Sequence, residues 1–364
     1  MKTFEYRLRP NKQQEQRLFN SLKATRLLYN QALEELIEHY KTTGKHLNRF
    51  RHDKMHGKKE HPDLPAVLVD TTIARLHKSF ANFFRGIKDG SRIGFPRFKS
   101  ANQWHSIEFR DAGNYVEGKS FKSGKACAGN IKLILHRPME GTFRRARIVK
   151  RPSGWYLQCV CETKTQPLKK TGKSIGLDFG LRYLIADSNG EIVENDKVGR
   201  QNLKKLRRLQ RSLARKKKGG KNRRKSARIV ARLHERITNR RKDYLHKVST
   251  AYIQKNDRIV LEDLQIKNMV RNHHLAFGIH DASWGMLRNM FAYKAENAGR
   301  ELIAVAPHYT SQKCSQCGEM VVKSLSVRTH LCPSCGYTAD RDVNAAKGIL
   351  RLGLSLHPLS YAKA

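Results

Sequence analysis

Three acidic residues stand where a carboxylate has little ordinary structural use. Asp178 lies in SIGLDFG, within a run that reads as a buried strand, and Glu262 ends a second apolar run, RIVLE. Asp342 lies in DRDVNAA, where the pattern predicts the start of a helix; Asp340 or Asp342 could serve there as a simple N-cap. Burying a carboxylate is costly unless a cation or a hydrogen-bond partner offsets it. These residues are therefore either structural hydrogen-bonding groups or ligands of a common metal ion.

Carboxylate oxygens are hard ligands, which suit Mg²⁺ or Mn²⁺. Two such ions about 4 Å apart can activate a water molecule and stabilise the leaving oxygen in phosphodiester hydrolysis. An Asp on a first strand, a Glu on a later strand and an Asp at a helix start follow the order of an RNase H-like nuclease core. We therefore predict that Asp178, Glu262 and Asp342 are catalytic and bind the divalent ions.

Four of the seven cysteines form two C-x-x-C pairs separated by 14 residues. Four thiolates at this spacing predict a tetrahedral Zn²⁺ site. Because such a site has no open coordination position, this zinc would be structural. A pair of disulfides is the alternative, which the odd cysteine count and the expected intracellular location disfavour. The predicted zinc ligands are Cys314, Cys317, Cys332 and Cys335.

The charge balance predicts a polyanionic partner. The chain of 364 residues has 73 Lys and Arg against 31 Asp and Glu, a net charge of +42. Self-repulsion on this scale destabilises a compact chain unless a polyanion such as nucleic acid is bound. No apolar run of about 18 residues predicts a membrane span, and the N-terminus has no signal-peptide pattern. We therefore expect a cytoplasmic protein that binds nucleic acid and no membrane.

The most biased segment runs from residue 197 to 247 and contains 22 Lys or Arg and two acidic residues, Glu235 and Asp243. Leucines at helical spacing and the break KKKGGK predict a helical hairpin with cationic faces. A solvated surface is the usual role of a charged run, but the scarcity of acidic partners favours phosphate contacts. The candidates are Lys204, Arg208, Arg215, Lys217 and Arg223, together with Arg97 and Lys99 in the loop GFPRFK.

The remaining pattern predicts a β domain that contains a helical insertion. Short alternating runs at residues 2–9 and between 106 and 165 are typical of a small barrel or sandwich. Apolar residues at helical spacing predict helices over 12–41, 66–88 and 281–299, and Asp281 or Ser283 could cap the last of these. The polar, His-rich residues 43–65 predict a surface loop or a poorly ordered connection. After a linker at 166–173, the strand of Asp178 would begin a new domain.

Several of these motifs in combination resemble the TnpB family of transposon-encoded RNA-guided DNA endonucleases, relatives of the type V CRISPR effectors. The similarity covers nearly the whole chain. Its most specific motifs are GLDFGL, LEDLQIKNM, YTSQKCSQCG, CPSCG and DRDVNAA, and RLRPNKQQ, ATRLLYNQAL and GFPRFK extend it to the N-terminal side.

The resemblance implies a multi-domain α/β and β fold. Residues 1–10 and 95–170 would form a wedge β-barrel domain, residues 11–94 a helical recognition lobe, residues 171–307 and 341–364 a RuvC-like nuclease domain, and residues 308–340 an inserted zinc ribbon. The implied partners are a guide RNA from the transposon end and a double-stranded target DNA. By position, Asp70, Thr71 and Arg75 are candidates for recognising a short motif beside the target.

Two other functions remain open from the sequence. Some relatives have lost the catalytic carboxylates and act as RNA-guided repressors without cleavage, although this chain retains all three. A strand-joining transposase would need to hold transposon ends, and no HUH or tyrosine nucleophile motif is visible. The intact carboxylates favour Mg²⁺-dependent DNA cleavage at a single RuvC site.

Overall fold

The structure is a computed structural model that describes residues 1–56, 61–62, 64–110, 115–124, 127–307, 310–324 and 326–356. It divides into two compact units, residues 1–164 and 165–364. In the described residues, no helix is both long and apolar enough to cross a membrane.

The first unit is built on a curled seven-stranded sheet with the strand order β2-β6-β7-β1-β5-β4-β3. All its pairings are antiparallel. The curl brings β2 and β4 together although they are distant in this order, since the rings of Phe109 and Phe121 pack 5.5 Å apart. The predicted small barrel is thus confirmed. Its strands are β1 Lys2–Arg9, β2 Ser106–Arg110, β3 Val116–Glu117, β4 Ser120–Lys122, β5 Asn130–Ile134, β6 Thr142–Arg151 and β7 Gly154–Glu162.

The helices of the first unit lie between β1 and β2 in the sequence, as predicted. They are α1 Lys12–Thr43, α2 Arg49–Met55 and α3 Ala66–Lys88, followed by a short 3₁₀ turn at Ala101–Gln103. The loop predicted over residues 43–65 is wrong in part, because α2 lies within it; residues 57–60 and 63 of this segment lie outside the described residues. Asn48 caps this helix by accepting a hydrogen bond from the Arg51 amide.

The three cysteines outside the C-x-x-C pairs are buried in the core of the first unit, as expected for ordinary thiols. They are Cys127, Cys159 and Cys161. Burial raises the pKa of the Cys159 thiol to about 12, so this group remains a neutral thiol at neutral pH.

The second unit contains a five-stranded mixed sheet with the order β10-β9-β8-β11-β12. Strands β8, β11 and β12 are parallel. Strands β9 and β10 extend the sheet beyond β8 in antiparallel pairings. The two-stranded ribbon β13-β14 precedes the last helix. The strands are β8 Ser174–Phe179, β9 Tyr183–Asp187, β10 Ile192–Glu194, β11 Arg258–Glu262, β12 Glu301–Val305, β13 Thr329–Leu331 and β14 Thr338–Asp340. The helices are α4 Val198–Ala214, α5 Lys221–Lys255, α6 Ile266–Met269, α7 His273–Ala282, α8 Trp284–Ala298 and α9 Arg341–Ser355.

One predicted cap is wrong. We expected Asp281 or Ser283 to cap a single helix over residues 281–299, but the chain forms α7 and α8 with Ser283 between them in a left-handed conformation and without a side-chain cap. Asp281 instead accepts hydrogen bonds from the amides of Gly199 and Arg200, at 2.7 and 2.9 Å, in the first turn of α4. The carboxylate thereby complements the N-terminal end of that helix dipole.

Helix α9 lies directly on strands β8 and β11 because two glycines leave no side chain between them. A Cβ atom at Gly176 would collide with the carbonyl oxygen of Ala346 and lie 2.8 Å from Leu350 Cβ. A Cβ atom at Gly353 would overlap the methyl groups of Val260. These two contacts fix the position of α9 on the sheet.

Replacing Gly176 with Ala is therefore expected to destabilise the second unit by about 1–3 kcal/mol, as overpacking does in a close-packed core. The measurement is urea unfolding followed by circular dichroism. Gly285→Ala is the matched control, because its Cβ would meet only Ile266 Cδ1 at an ordinary 3.7 Å and alanine favours the helix α8. Equal unfolding midpoints for both variants would contradict the close contact between helix and sheet.

Candidate active site

The structure brings the three predicted carboxylates to one edge of the five-stranded sheet. In the parallel ladder, Leu261 of β11 pairs with Leu177 of β8, so the next residues, Glu262 and Asp178, lie side by side. Asp178 lies two residues after Gly176 and therefore points to the face that α9 covers. Asp342 lies one helical turn before Ala346, which contacts Gly176. Two residues along the strand and four residues along the helix each span about 6 Å. Asp342 therefore lies beside Asp178 at the end of the strand.

The charges of this cluster act on one another. Burial removes water from Asp178, and the negative charges of Glu262 and Asp342 add to the effect, so that the pKa of Asp178 lies well above its usual range. The nearby positive charge of Arg341 acts in the opposite direction. The cluster therefore holds more negative charge than its protein neighbours offset.

Glu262 is held by a residue that the sequence reasoning missed. The Thr310 hydroxyl donates a short hydrogen bond to Glu262 Oε1, and the Thr310 side chain is buried. Burial raises the pKa of Glu262, and this hydrogen bond acts against the rise. No periodic pattern marks Thr310; its sequence signal is its place in the motif YTSQKCSQCG, four residues before Cys314.

Two aspartates at the start of α9 have different roles. Asp340 is the N-cap, and its Oδ1 accepts hydrogen bonds from the amides of Asp342 and Val343 at 2.8 and 3.4 Å. The Asp342 carboxylate is not used for capping and makes a long ion pair of 3.7 Å with Arg328. The side chain of Asp342 is 15% exposed, which leaves its oxygens available at the sheet edge.

These residues fit a divalent cation. Three carboxylates converge, two of them with raised pKa values, and all donors are the hard oxygens that Mg²⁺ and Mn²⁺ prefer. A cation in the cluster would offset the repulsion that raises the Asp178 pKa.

The four predicted cysteines also converge. Their sulfur atoms all lie within 4.8 Å of one another. The Sγ atoms of Cys314 and Cys335 are 3.7 Å apart, and those of Cys317 and Cys332 are 3.5 Å apart. A disulfide would bring two sulfurs to about 2.05 Å, whereas ligands around a tetrahedral zinc ion lie about 3.8 Å apart. The geometry fits a four-thiolate metal site and excludes a pair of disulfides.

Backbone geometry explains the two glycines that follow the cysteine pairs. Gly318 and Gly336 have positive φ angles of 86° and 70°, which favour glycine. Their amides donate to the carbonyl oxygens of Cys314 and Cys332, both at 3.0 Å, and so close each turn around its cysteines.

Asn344 connects the ribbon to helix α9. This buried residue of α9 donates from Nδ2 to the Lys313 carbonyl at 2.8 Å and accepts at Oδ1 from the Ser315 amide at 2.9 Å. Since Asn344 is two residues after Asp342, disorder in the ribbon would be transmitted to the third carboxylate.

The predicted basic hairpin is present as α4 and α5. Lys204, Arg208, Arg215 and Lys217 are exposed on it. Arg223 is half-buried and has a structural contact, because its guanidinium donates to the Leu213 and Lys216 carbonyls that end α4. Asp281 anchors the other end of α4 and also pairs with Arg241 of α5 at 2.7 Å.

The other nucleic-acid candidates lie in the first unit and do not form one exposed surface. Asp70 pairs with Arg49 and Arg110, at 2.5 and 3.3 Å, with its side chain 39% exposed. Thr71 is buried and donates to the Glu108 carbonyl at 2.8 Å.

Arg75 and the loop residues make different contacts. Arg75 lies over the Trp104 ring at 4.1 Å and donates to the Ser106 carbonyl at 3.2 Å. Lys99 is half-buried and its amide donates to Asn30, whereas Arg97 is exposed.

Three family models match parts of the chain. A family model described as "Probable transposase" (OrfB_IS605) matches residues 158–273. A Cas12f1-like TNB domain matches residues 284–349, which include the ribbon. A third model, a helix-turn-helix domain of the same OrfB_IS605 group, matches residues 1–45, although the structure shows one strand and one long helix there.

Two relatives match almost the whole chain. A "Putative RNA-guided DNA endonuclease" of Streptomyces pristinaespiralis is 34% identical over 97% of this chain and 90% of its own length. The "Putative RNA-guided DNA endonuclease InsQ" of Escherichia coli K12 is 31% identical over 97% of this chain and 92% of its own length. Among solved structures, the Cas12f1-sgRNA-target DNA complex aligns with a TM-score of 0.59 at 17% identity, over 93% of this chain and 82% of that one, which supports the same fold. The chain therefore belongs to the TnpB family.

Proposed function

We propose that this chain is a guide-RNA-directed, divalent-metal-dependent DNA endonuclease encoded by a transposon. The observation that carries the proposal is the convergence of Asp178, Glu262 and Asp342 at one sheet edge in a chain with a net charge of +42. Two relatives that match nearly the whole chain are named as RNA-guided DNA endonucleases. We place its action in the cytoplasm of a prokaryote, where guide RNA and target DNA are both present.

The three carboxylates would hold Mg²⁺ or Mn²⁺. When bound, these ions supply an activated water molecule and stabilisation of the leaving oxygen. The protein's own part is to position the ligands: Thr310 orients Glu262, and the contact between Gly176 and Ala346 holds α9 so that Asp342 faces Asp178. The scissile phosphate would enter at this edge, where the carboxylates are only half-buried.

The guide and target would be bound mainly through their phosphates. Lys204, Arg208, Arg215 and Lys217 lie exposed along one helical hairpin, and phosphate contacts give affinity without sequence preference. Sequence selection would come from RNA–DNA pairing, with the protein recognising only a short motif beside the target. For that motif we retain Asp70, Thr71 and Arg75 as candidates, with Arg97 and Lys99 as nearby cations.

The four-cysteine site would hold a structural Zn²⁺. Since all four positions are thiolates, the ion has no open position for substrate. Its role would be to fold the ribbon that Asn344 joins to α9.

The carboxylate cluster is tested by Asp178→Asn. We expect cleavage of matched target DNA in Mg²⁺ to fall to background, because the variant lacks one metal ligand, while gel-shift binding to guide RNA and target DNA is retained. Asp340→Asn is the matched control, since Asn is an equally good N-cap and should preserve most activity. If Asp178→Asn cleaved like the wild type, the assignment of the active site would be wrong.

Analysis of the DNA products distinguishes this function from the two alternative functions. A repressor would bind target DNA with guide RNA and leave it intact in Mg²⁺. A strand-joining transposase would produce joined products from transposon ends without guide RNA.

The role of Thr310 is tested by Thr310→Val, which keeps the shape and removes the hydroxyl. The cleavage rate should fall about 10–100-fold, as is typical when the partner of a metal ligand is lost. Thr310→Ser retains a hydroxyl and should restore most of the rate. A Thr310→Val enzyme with the wild-type rate and Mg²⁺ dependence would show that the hydrogen bond to Glu262 does not position it for catalysis.

The zinc ribbon is tested by Cys332→Ser. We expect loss of the cysteine-bound zinc, measured by plasma emission spectroscopy, and reduced cleavage, because the disordered ribbon no longer holds Asn344 and the start of α9. Cys127→Ser is the control, since this buried cysteine lies in the first unit and should leave the zinc content unchanged. Full zinc content together with full cleavage in Cys332→Ser would refute the structural role.

A further inference from the structure

A second group of metal-ligand side chains lies in the helical part of the first unit, apart from both sites described above. Glu35 of α1, His52 of α2 and His56, which directly follows α2, have ligand atoms that all lie within 4.8 Å of one another. The rings of the two histidines lie side by side, with their centroids 5.1 Å apart. His52 and His56 are buried, with side chains 0% and 2% exposed.

Both rings point at the same carboxylate oxygen. Glu35 Oε2 lies 3.1 Å from His52 Nε2 and 2.6 Å from His56 Nε2. The other oxygen of Glu35 accepts a hydrogen bond from Gln31 Nε2 at 3.0 Å. One carboxylate is therefore fixed by its own helix and presents its free side to two buried imidazoles.

Two further histidines support the rings from behind. His52 Nδ1 lies 2.9 Å from His77 Nε2, and His56 Nδ1 lies 3.1 Å from His61 Nε2. A histidine that binds a metal through Nε2 needs its Nδ1–H to donate to an acceptor, which fixes the tautomer and the ring orientation. His77 and His61 can each be that acceptor.

The spacing is close to that of a metal site. Ligands with bonds of about 2.0–2.1 Å in a tetrahedral site lie about 3.4 Å apart. The two nitrogen–oxygen distances here would have to lengthen by less than about 1 Å. An ion would also neutralise the charge of the Glu35 carboxylate, which is half-buried. Two imidazoles and one carboxylate are a ligand set that suits Zn²⁺.

We propose that Glu35, His52 and His56 bind a second Zn²⁺ ion, distinct from the one at the four cysteines. The ion joins α2 to α1. Helix α2 has only seven residues, and a helix of that length is marginal without tertiary contacts. The site gives this short helix a fixed position on α1.

The first test is the zinc content of the purified full-length protein, determined by plasma emission spectroscopy. We expect two Zn²⁺ per chain for the wild type and one for Glu35→Gln, which keeps the size of the side chain and weakens the ligand. His105→Gln is the control, because His105 is exposed and lies outside the cluster; it should retain two. One zinc per wild-type chain, or two in the Glu35→Gln variant, overturns the proposal in favour of a purely hydrogen-bonded histidine cluster.

The second test does not depend on a variant that folds. The metal-free wild-type protein is titrated with Co²⁺ in an excess of Mg²⁺, which occupies the three carboxylates of the candidate active site, and the absorption spectrum is recorded. We expect two equivalents to bind, of which only one produces thiolate-to-cobalt charge transfer, because the second has nitrogen and oxygen ligands. Binding that ends after the thiolate-bound equivalent refutes the second site.

Discussion

The close contact between helix α9 and strand β8 is the constraint on which the candidate active site depends. Gly176 allows the backbone of the strand to approach Ala346 without an intervening side chain. Two of the predicted metal ligands lie at about equal distances from this contact. Asp178 is two residues further along the strand, and Asp342 is one turn earlier on the helix. A larger residue at position 176 would move the helix and separate the carboxylates, although neither carboxylate would itself be altered.

The second constraint is electrostatic and opposes the first. Packing the helix onto the sheet buries Asp178 and Glu262, and this burial raises the pKa values of both. The negative charges of Glu262 and Asp342 raise the pKa of Asp178 further. In the folded state these groups bind protons at a higher pH than they do in the unfolded chain, so the stability they contribute falls as pH rises above the ordinary carboxyl range. At neutral pH the ionised cluster therefore costs folding free energy unless cations are bound. A cation bound to the cluster would therefore stabilise the packing of α9 on the sheet.

Much of the architecture could be predicted because the patterns are local. Alternating residues marked the strands of the first unit, helical spacing marked α1 and α3, and cysteine spacing marked the four-cysteine cluster of the ribbon. The convergence of a carboxylate on a first strand, one on a later strand and one at a helix start could be predicted from the topology of parallel strands alone. The failures concern contacts between distant residues. Asp281 caps α4 rather than its own neighbouring helix, and Thr310 reaches Glu262 across 48 positions of sequence.

Residues 43–65 were misjudged for a related reason. Their histidines and lysines are typical of a solvated loop when each residue is considered alone. In the structure His52 and His56 are buried, and their polar atoms are satisfied by Glu35 on another helix and by His77 and His61. A polar segment can thus form part of a core when its partners are supplied from elsewhere in the chain. The same condition applies in part to the three predicted carboxylates, since Thr310 donates a hydrogen bond to Glu262 and Arg341 offsets some of the negative charge around Asp178.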